Sequence, residues 1–146
     1  MDTSEPRHEP DHDGPRRDEP DHELIEAAAA VARTRARGDR HTMAAAARAA
    51  DGRIITGLNA YHFTGGPCAE LVVLGAAAAQ GAYELTTMVA VGDRDRGVVS
   101  PCGRCRQVLL DYFPGMRVIV PAADGPRAVA VGDLLPESYV WADHAD

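Results

Sequence analysis

The chain has 146 residues, 45% of them hydrophobic, which fits one globular domain with a proper core. No run of about 18 apolar residues occurs, and the N-terminus lacks the basic-then-apolar profile of a secretory leader, so no membrane span is expected and a cytoplasmic protein is. The net charge of −7 comes without a basic stripe, which argues against a polyanionic partner such as nucleic acid.

The charge is unevenly spread. Residues 1–20 hold seven acids against three arginines, a net of −4, and almost no apolar side chain. Such a segment cannot bury enough surface to offset its ordering entropy, so it reads as a disordered acidic tail. His8 and His12 are then solvated residues rather than ligands. The domain proper is expected over 21–141, with a short tail over 142–146. Every basic residue is Arg and none is Lys, which with the abundant Ala points to a GC-rich coding sequence rather than a functional choice.

Residues 24–37 are Ala- and Glu-rich with arginines near their end, and Gly38 follows as a C-cap; this predicts the first helix. Residues 42–50 and 53–59 flank Asp51-Gly52, a strong hairpin signal, although the Ala tract in the first arm has helical propensity. Residues 68–80 predict a helix that is apolar nearly all round, hence buried on both sides. A domain of this size has little left to cover the second side, so a subunit interface is expected there. Residues 85–91 predict a third strand and 102–112 a second helix within the sheet region. Short strands follow at 117–120 and 128–131, then a helical turn within 131–139. This order predicts an α/β domain, a mixed sheet with helices on both faces.

All three cysteines fall in two short strings, Gly66-Pro67-Cys68-Ala69-Glu70 and Ser100-Pro101-Cys102-Gly103-Arg104-Cys105. At most one disulfide could form, leaving a thiol over, so reduced, metal-bound thiolates fit better. Cys68 and Cys102 each follow a proline and open a predicted helix, whose unpaired N–H groups and partial positive charge stabilise a thiolate. Cys105 lies one turn beyond Cys102 on the same face. Two helix starts can thus converge on one cation and give it three sulfurs. Three thiolates suit Zn²⁺ and leave its fourth position open for water, the arrangement of a catalytic rather than a structural site. Zinc lowers the pKa of bound water to about 7, an effect that three thiolates weaken and a neighbouring cation restores. Arg104 or Arg106 is expected to hydrogen-bond a ligand sulfur in that role, with Arg104, between the two cysteines, preferred. Glu70, in the first turn of a very apolar helix, reads either as a carboxylate meeting the helix dipole or as the general acid/base of the site. The pattern (His/Cys)-x-Glu … Pro-Cys-x-x-Cys is the known signature of zinc nucleobase deaminases, which favours the second reading. A structural zinc knuckle would need a fourth ligand; His41, His62 and His144 are available, but none has ligand spacing.

The flanking residues carry a closer resemblance. Residues 59–75, beginning Asn59-Ala60-Tyr61-His62 and containing the Cys68 string, closely resemble the blasticidin S deaminases of the cytidine deaminase superfamily. So do residues 100–111 and 134–141, the last ending Tyr139-Val140-Trp141; the similarity runs from about Leu24 to Trp141. The resemblance implies a three-layer α/β/α fold with a five-stranded mixed sheet, and a homotetramer whose active sites lie near subunit interfaces. It implies conversion of the cytosine ring of a nucleoside-peptidyl antibiotic to uracil with release of ammonia. By position, Cys68, Cys102 and Cys105 match the zinc ligands, one ion per subunit, and Glu70 the proton shuttle. Thr42, Arg96 and Tyr139 match substrate-contact positions, and Trp141 is placed to cover the pocket. Arg96 suits a substrate carboxylate or carbonyl; it is otherwise a loop arginine in Asp93-Arg94-Asp95-Arg96. Tyr139 and Trp141 alternate as on a strand and serve equally as packing residues.

Ordinary cytidine deaminases carry Asn-x-Glu before the zinc motif, and the pair grips the ribose hydroxyls. Here the string is Asn59-Ala60-Tyr61, which removes the carboxylate and fits an antibiotic whose unsaturated sugar lacks those hydroxyls. From the blasticidin S deaminases the chain departs in its acidic tail, in Thr42 for a serine, and in one residue missing around 124–127. The readings that compete with an antibiotic deaminase are a cytidine or deoxycytidine deaminase of pyrimidine salvage and a non-catalytic zinc- or antibiotic-binding module.

Overall fold

Asp21 opens the first helix, α1 (His22–Arg35), by accepting a hydrogen bond from the Leu24 N–H at 3.0 Å. The computed structural model describes residues 19–141. Nearly all of the expected acidic tail, the C-terminal tail, and His8, His12 and His144 lie outside the described residues. Glu23 in the first turn of α1 and Arg33 and Arg35 in its last turn complement the helix dipole. The helix ends earlier than its sequence predicts. The chain turns out at Ala36, and Gly38, expected as the cap, instead sits at φ 58° in the turn closed by the Arg37–His41 bridge.

The Asp51-Gly52 hairpin forms as expected from β1 (Met43–Ala49) and β2 (Ile54–Leu58), with Gly52 at φ 95°. The Ala tract of β1 takes the extended form despite its helical propensity because both of its faces are buried. Ala45, Ala47 and Ala49 join one core, and Ala44 and Ala46 the other. β3 (Leu85–Gly92) pairs antiparallel with β1. Its alternation is equally clean, with Met88 and Ala90 on one side and Val89 and Val91 on the other.

A short strand that the sequence reading missed, β4 (Gly97–Val99), folds back antiparallel on the end of β3, pairing Ala90 with Val99 and Gly92 with Gly97. The turn between them has Arg94 and Asp95 at φ 53° and 56°, so no Gly or Asn announces it. β5 (Arg117–Val120) pairs parallel to β3, and β6 (Arg127–Ala130) pairs antiparallel to β5. The order β2-β1-β3-β5-β6 is the expected five-stranded mixed sheet, to which β4 adds a sixth strand.

α2 (Ala69–Ala79) and α3 (Gly103–Tyr112) cover one face of the sheet through Val73, Ala77 and Leu109, and α1 covers the other through Leu24, Ala28 and Ala32. The result is three layers, α/β/α. Gly57 of β2 lets α2 approach closely, since a Cβ there would stand 3.0 Å from Val72 Cγ1. Within the chain α2 is buried on one flank only: Ala69, Glu70, Val73 and Ala77 are inside, while Gly75, Ala78 and Ala79 face outward. After β6 comes the expected turn, a 3-10 segment Val131–Leu134.

Candidate active site

Cys68 and Cys102 are the N-cap residues of α2 and α3, both in extended backbone, and neither side chain is spent on capping its helix. Cys105, one turn inside α3, is fully buried. The three Sγ atoms lie within 4.8 Å of one another, and those of Cys68 and Cys102 are 3.8 Å apart. A tetrahedral zinc with bonds of about 2.3 Å to sulfur sets neighbouring sulfurs about 3.8 Å apart. The donor set therefore fits zinc in both chemistry and spacing. Among the described residues no other His, Cys, Asp or Glu atom joins the three. His41 Nδ1 lies 2.8 Å from the Asn59 carbonyl, and His62 pairs with Thr64.

Glu70 lies in the first turn of α2 and is 5% exposed. Burial pushes its carboxyl above the ordinary range, against the downward pull of the Cys105 thiol and of its own N–H. Burial, and then the nearby Glu70 carboxylate, push the Cys105 thiol strongly up. Burial also raises Cys68. At Cys102 burial is outweighed by the Cys105 N–H, the Cys105 and Cys68 thiols and the Arg104 N–H, which hold that thiol below its usual value. Four acidic groups crowded at two helix starts call for a cation among the sulfurs.

The arginines divide their tasks differently from expectation. Arg106 donates to the carbonyls of Pro101 at 2.8 Å and Leu134 at 3.0 Å, tying the start of α3 to the C-terminal segment. Arg104 is exposed, its guanidinium hydrogen-bonds no described residue, and it acts on Cys102 through its backbone N–H.

Thr42 and Asn59 meet where β1 begins and β2 ends. Asn59 Oδ1 accepts from the N–H groups of Thr42 (2.8 Å) and Met43 (3.0 Å), and Asn59 Nδ2 donates to Thr42 Oγ1 at 3.1 Å. Asn59 is thus the clamp that holds Thr42. Arg96 joins from the β3–β4 turn: its Nη2 donates to the Thr42 carbonyl and to Asp93 Oδ1, both at 2.9 Å. The cluster is tied to the cysteines through the chain itself. The Ala60 N–H donates to the carbonyl of Pro67, next to Cys68, and Gly66 packs so tightly on Ala60 that a Cβ would stand 1.9 Å from its carbonyl oxygen. Tyr61, on this loop, is 66% exposed.

Tyr139 and Trp141 do not lie on a strand, contrary to the alternation in the sequence. The Tyr139 carbonyl accepts from Gln107 Nε2 rather than from a neighbouring strand. Both are more than half exposed, on a groove of about 490 Å³ that they share with Leu110 and Pro114 of the α3 end. A larger hollow of about 820 Å³ lies away from the sulfurs, between the end of α1 and the β3–β4 turn. Sequence reasoning passed over Asp93 and Gly92, which look like a loop charge and a loop glycine. The sole hint was a glycine directly ahead of an alternating Asp-Arg-Asp-Arg string.

Comparison with known proteins now places this geometry. The sequence profile described as the cytidine and deoxycytidylate deaminase zinc-binding region matches residues 18–120. Blasticidin-S deaminase of Bacillus cereus is 31% identical over 128 residues, 82% of this chain and 91% of that one. Cytidine deaminase of Mycobacterium tuberculosis is 38% identical over 102 residues, 68% of this chain and 74% of that one. The crystal structure of cytidine deaminase from Burkholderia pseudomallei superposes with a TM-score of 0.67 at 32% identity, covering 82% of this chain and 99% of that one.

Proposed function

Because the chain belongs to the cytidine and deoxycytidylate deaminase family, whose members are zinc-dependent aminohydrolases, we propose that it deaminates the cytosine ring of blasticidin S, releasing ammonia and leaving the uracil product. The observation that carries the choice of substrate is Tyr61. Two residues after Asn59 the loop offers an exposed phenol, not the carboxylate that would grip ribose hydroxyls, and the Asn59 Oδ1 is already committed to two backbone N–H groups. The match to the Bacillus cereus blasticidin-S deaminase, spanning 91% of its length, supports the same reading.

Cys68, Cys102 and Cys105 would hold the zinc, which would supply the Lewis acidity that activates water. Glu70 does the proton work. Its buried carboxyl, raised above the ordinary range, takes one proton from the attacking water and passes it to the ring nitrogen, then takes the second from the hydroxyl now on the ring and gives it to the amine, which leaves as ammonia as the uracil carbonyl forms. The Arg104 and Cys105 N–H groups at the start of α3 face the negative charge of the Cys102 sulfur. Thr42 keeps its hydroxyl hydrogen as a donor. Arg96, about half exposed, keeps Nη1 clear of bonds to described residues and offers it to a substrate carboxylate or carbonyl. Tyr139 and Trp141 close the pocket within a homotetramer. Free thiols suit the reducing cytoplasm.

A cytidine deaminase is the second reading, favoured by the 38% identity to the Mycobacterium tuberculosis enzyme. Zinc-loaded protein should be given blasticidin S, cytidine and deoxycytidine side by side, following ammonia and the ultraviolet shift from cytosine to uracil. The proposal expects the highest kcat/KM for blasticidin S. A higher value for cytidine establishes the second reading, and stoichiometric binding of antibiotic without ammonia makes the protein a sequestering module.

A further inference from the structure

Asp93 is one of two charged residues buried in the described structure, the other being Glu70, and the chemistry above does not use it. Its surroundings are built around Arg96. The Asp93 carboxylate accepts from Arg96 Nη2 at 2.9 Å and from Nε at 3.2 Å, and its backbone N–H donates to the Thr42 carbonyl at 2.9 Å. Arg96 Nη2 bonds that same Thr42 carbonyl. Thr42, Asp93 and Arg96 therefore form one closed ring of hydrogen bonds.

Two further features serve the same placement. Gly92 is buried at the end of β3, and a Cβ there would stand 2.7 Å from Arg96 Nε and 2.9 Å from Cζ. The missing side chain is the floor on which the guanidinium lies. The turn that brings Arg96 back over this floor runs through Arg94 and Asp95, both non-glycine residues at positive φ, and the Arg96 N–H closes it on the Asp93 carbonyl at 3.2 Å. Left-handed backbone costs such residues free energy, and strain of this kind persists where the surroundings enforce it. Here the pairing of the half-exposed Arg96 with the buried Asp93 carboxylate does the enforcing.

We propose that Asp93, with Gly92 as the floor beneath the guanidinium, is the positioning residue that fixes Arg96 against Thr42 for recognition of the substrate beyond its cytosine ring. The group recognised is a carboxylate or carbonyl, because the one guanidinium nitrogen left over is a donor. This rests on the reading that Arg96 meets substrate. Asp93 itself touches no substrate and acts on it through Arg96; its other carboxylate oxygen faces Arg94 Nε at 3.7 Å.

The test uses the zinc-loaded full chain and two variants. Gly92→Ala puts a methyl group 2.7 Å from Arg96 Nε and 3.0 Å from its Cβ, so it displaces the flexible guanidinium and shifts the turn by a few tenths of an ångström; Gly92 is not at positive φ. Asp93→Asn removes the charge at nearly constant volume. Losing a hydrogen bond to a charged group corresponds to a rise of roughly 10- to 100-fold in KM for blasticidin S. With uniform binding lost, kcat should stay within about twofold. KM for cytidine, whose sugar carries neither group, should not move. The Arg96 Nε–H resonance, expected to be sharp and slowly exchanging in the wild type, should be lost in both variants. Equal KM increases for both substrates, or a fall in kcat alone, would overturn the assignment. If the wild type turns over neither compound, the functional reading falls, and the Nε–H resonance judges the positioning alone: loss in the variants supports it, and persistence overturns it.

Discussion

Glu70 sits between opposing influences. The start of α2 favours its carboxylate, while its burial at 5% exposure disfavours it, and burial is the larger. A surface carboxylate meeting a helix dipole would feel only the first. A group that must accept and then return a proton near neutral pH needs the second. Glu70→Gln keeps the shape and removes the proton shuttle. It should retain one zinc per chain and lose roughly 10²–10⁴-fold in kcat, the usual worth of general acid/base catalysis. Metal content and single-turnover rates check this, and an unaltered rate with full zinc would remove Glu70 from the chemistry. At this scale the sequence was informative where function depends on local spacing. Cys68, Glu70, Cys102 and Cys105 stand at offsets of two and three residues at helix starts, and those offsets determine which side chains share a turn. Asp93 was passed over, and the bonds of Asn59, expected among the substrate contacts, were not legible, because both depend on segments far apart in the chain. Asn59 bonds Thr42 across 17 residues, and Arg96 reaches back across 54 to the same residue.

Among the elements, α1 shows how a cap can also be a fastener. The Asp21 carboxylate caps the helix through Leu24 and also pairs with Arg48 of β1, with Nε to Oδ2 at 3.0 Å and Nη2 to Oδ1 at 3.1 Å. The Arg48 hydrogen bond, helped by the Leu24 N–H, holds the Asp21 carboxyl below its ordinary value. A carboxyl depressed on folding stabilises the native state above its unfolded pKa of about 3.9, and that contribution fades as pH falls through the folded value. Asp21→Ala should therefore cost about 1–2 kcal/mol at pH 7, chiefly from the lost cap, with little added by an ion pair that is a quarter exposed. Urea titrations of both proteins should show that difference shrinking below about pH 4. A gap that widens on acidification would contradict the assignment. The element boundaries that the sequence missed share one cause. β4 is three residues long and enters through a turn without glycine at its centre, and α1 stops at a backbone bridge rather than at Gly38. Propensity carries no trace of either. The Ala tract of β1 was readable as a strand only because Asp51-Gly52 stood beside it.

At the scale of the whole molecule, the layers were legible because strands and helices alternate along the chain; β1, β3 and β5 are buried on both faces, with successive residues going to opposite cores, and the helices separate onto the two faces. Assembly leaves a fainter trace. The outward flank of α2 presents Gly75, Ala78 and Ala79, and Tyr61, Phe63, Tyr112, Tyr139 and Trp141 are each more than half exposed. Small residues on a helix let a second surface approach its backbone, and aromatic side chains are the usual anchors of an interface. The proposed homotetramer would account for both. Gly75 offers a clean test, since a Cβ there meets nothing within 4 Å in the chain. Gly75→Arg should spare the monomer fold and even raise helix propensity, by about 1 kcal/mol against glycine. In a tetramer the same arginine would bury an unpaired charge. Native mass spectrometry at micromolar concentration should give four chains for the wild type and fewer for the variant. Deamination should fall with the loss of assembly while zinc content holds, because the active sites are expected beside the interfaces. A wild type that is monomeric, or a variant that remains a tetramer, would show that this flank of α2 faces solvent.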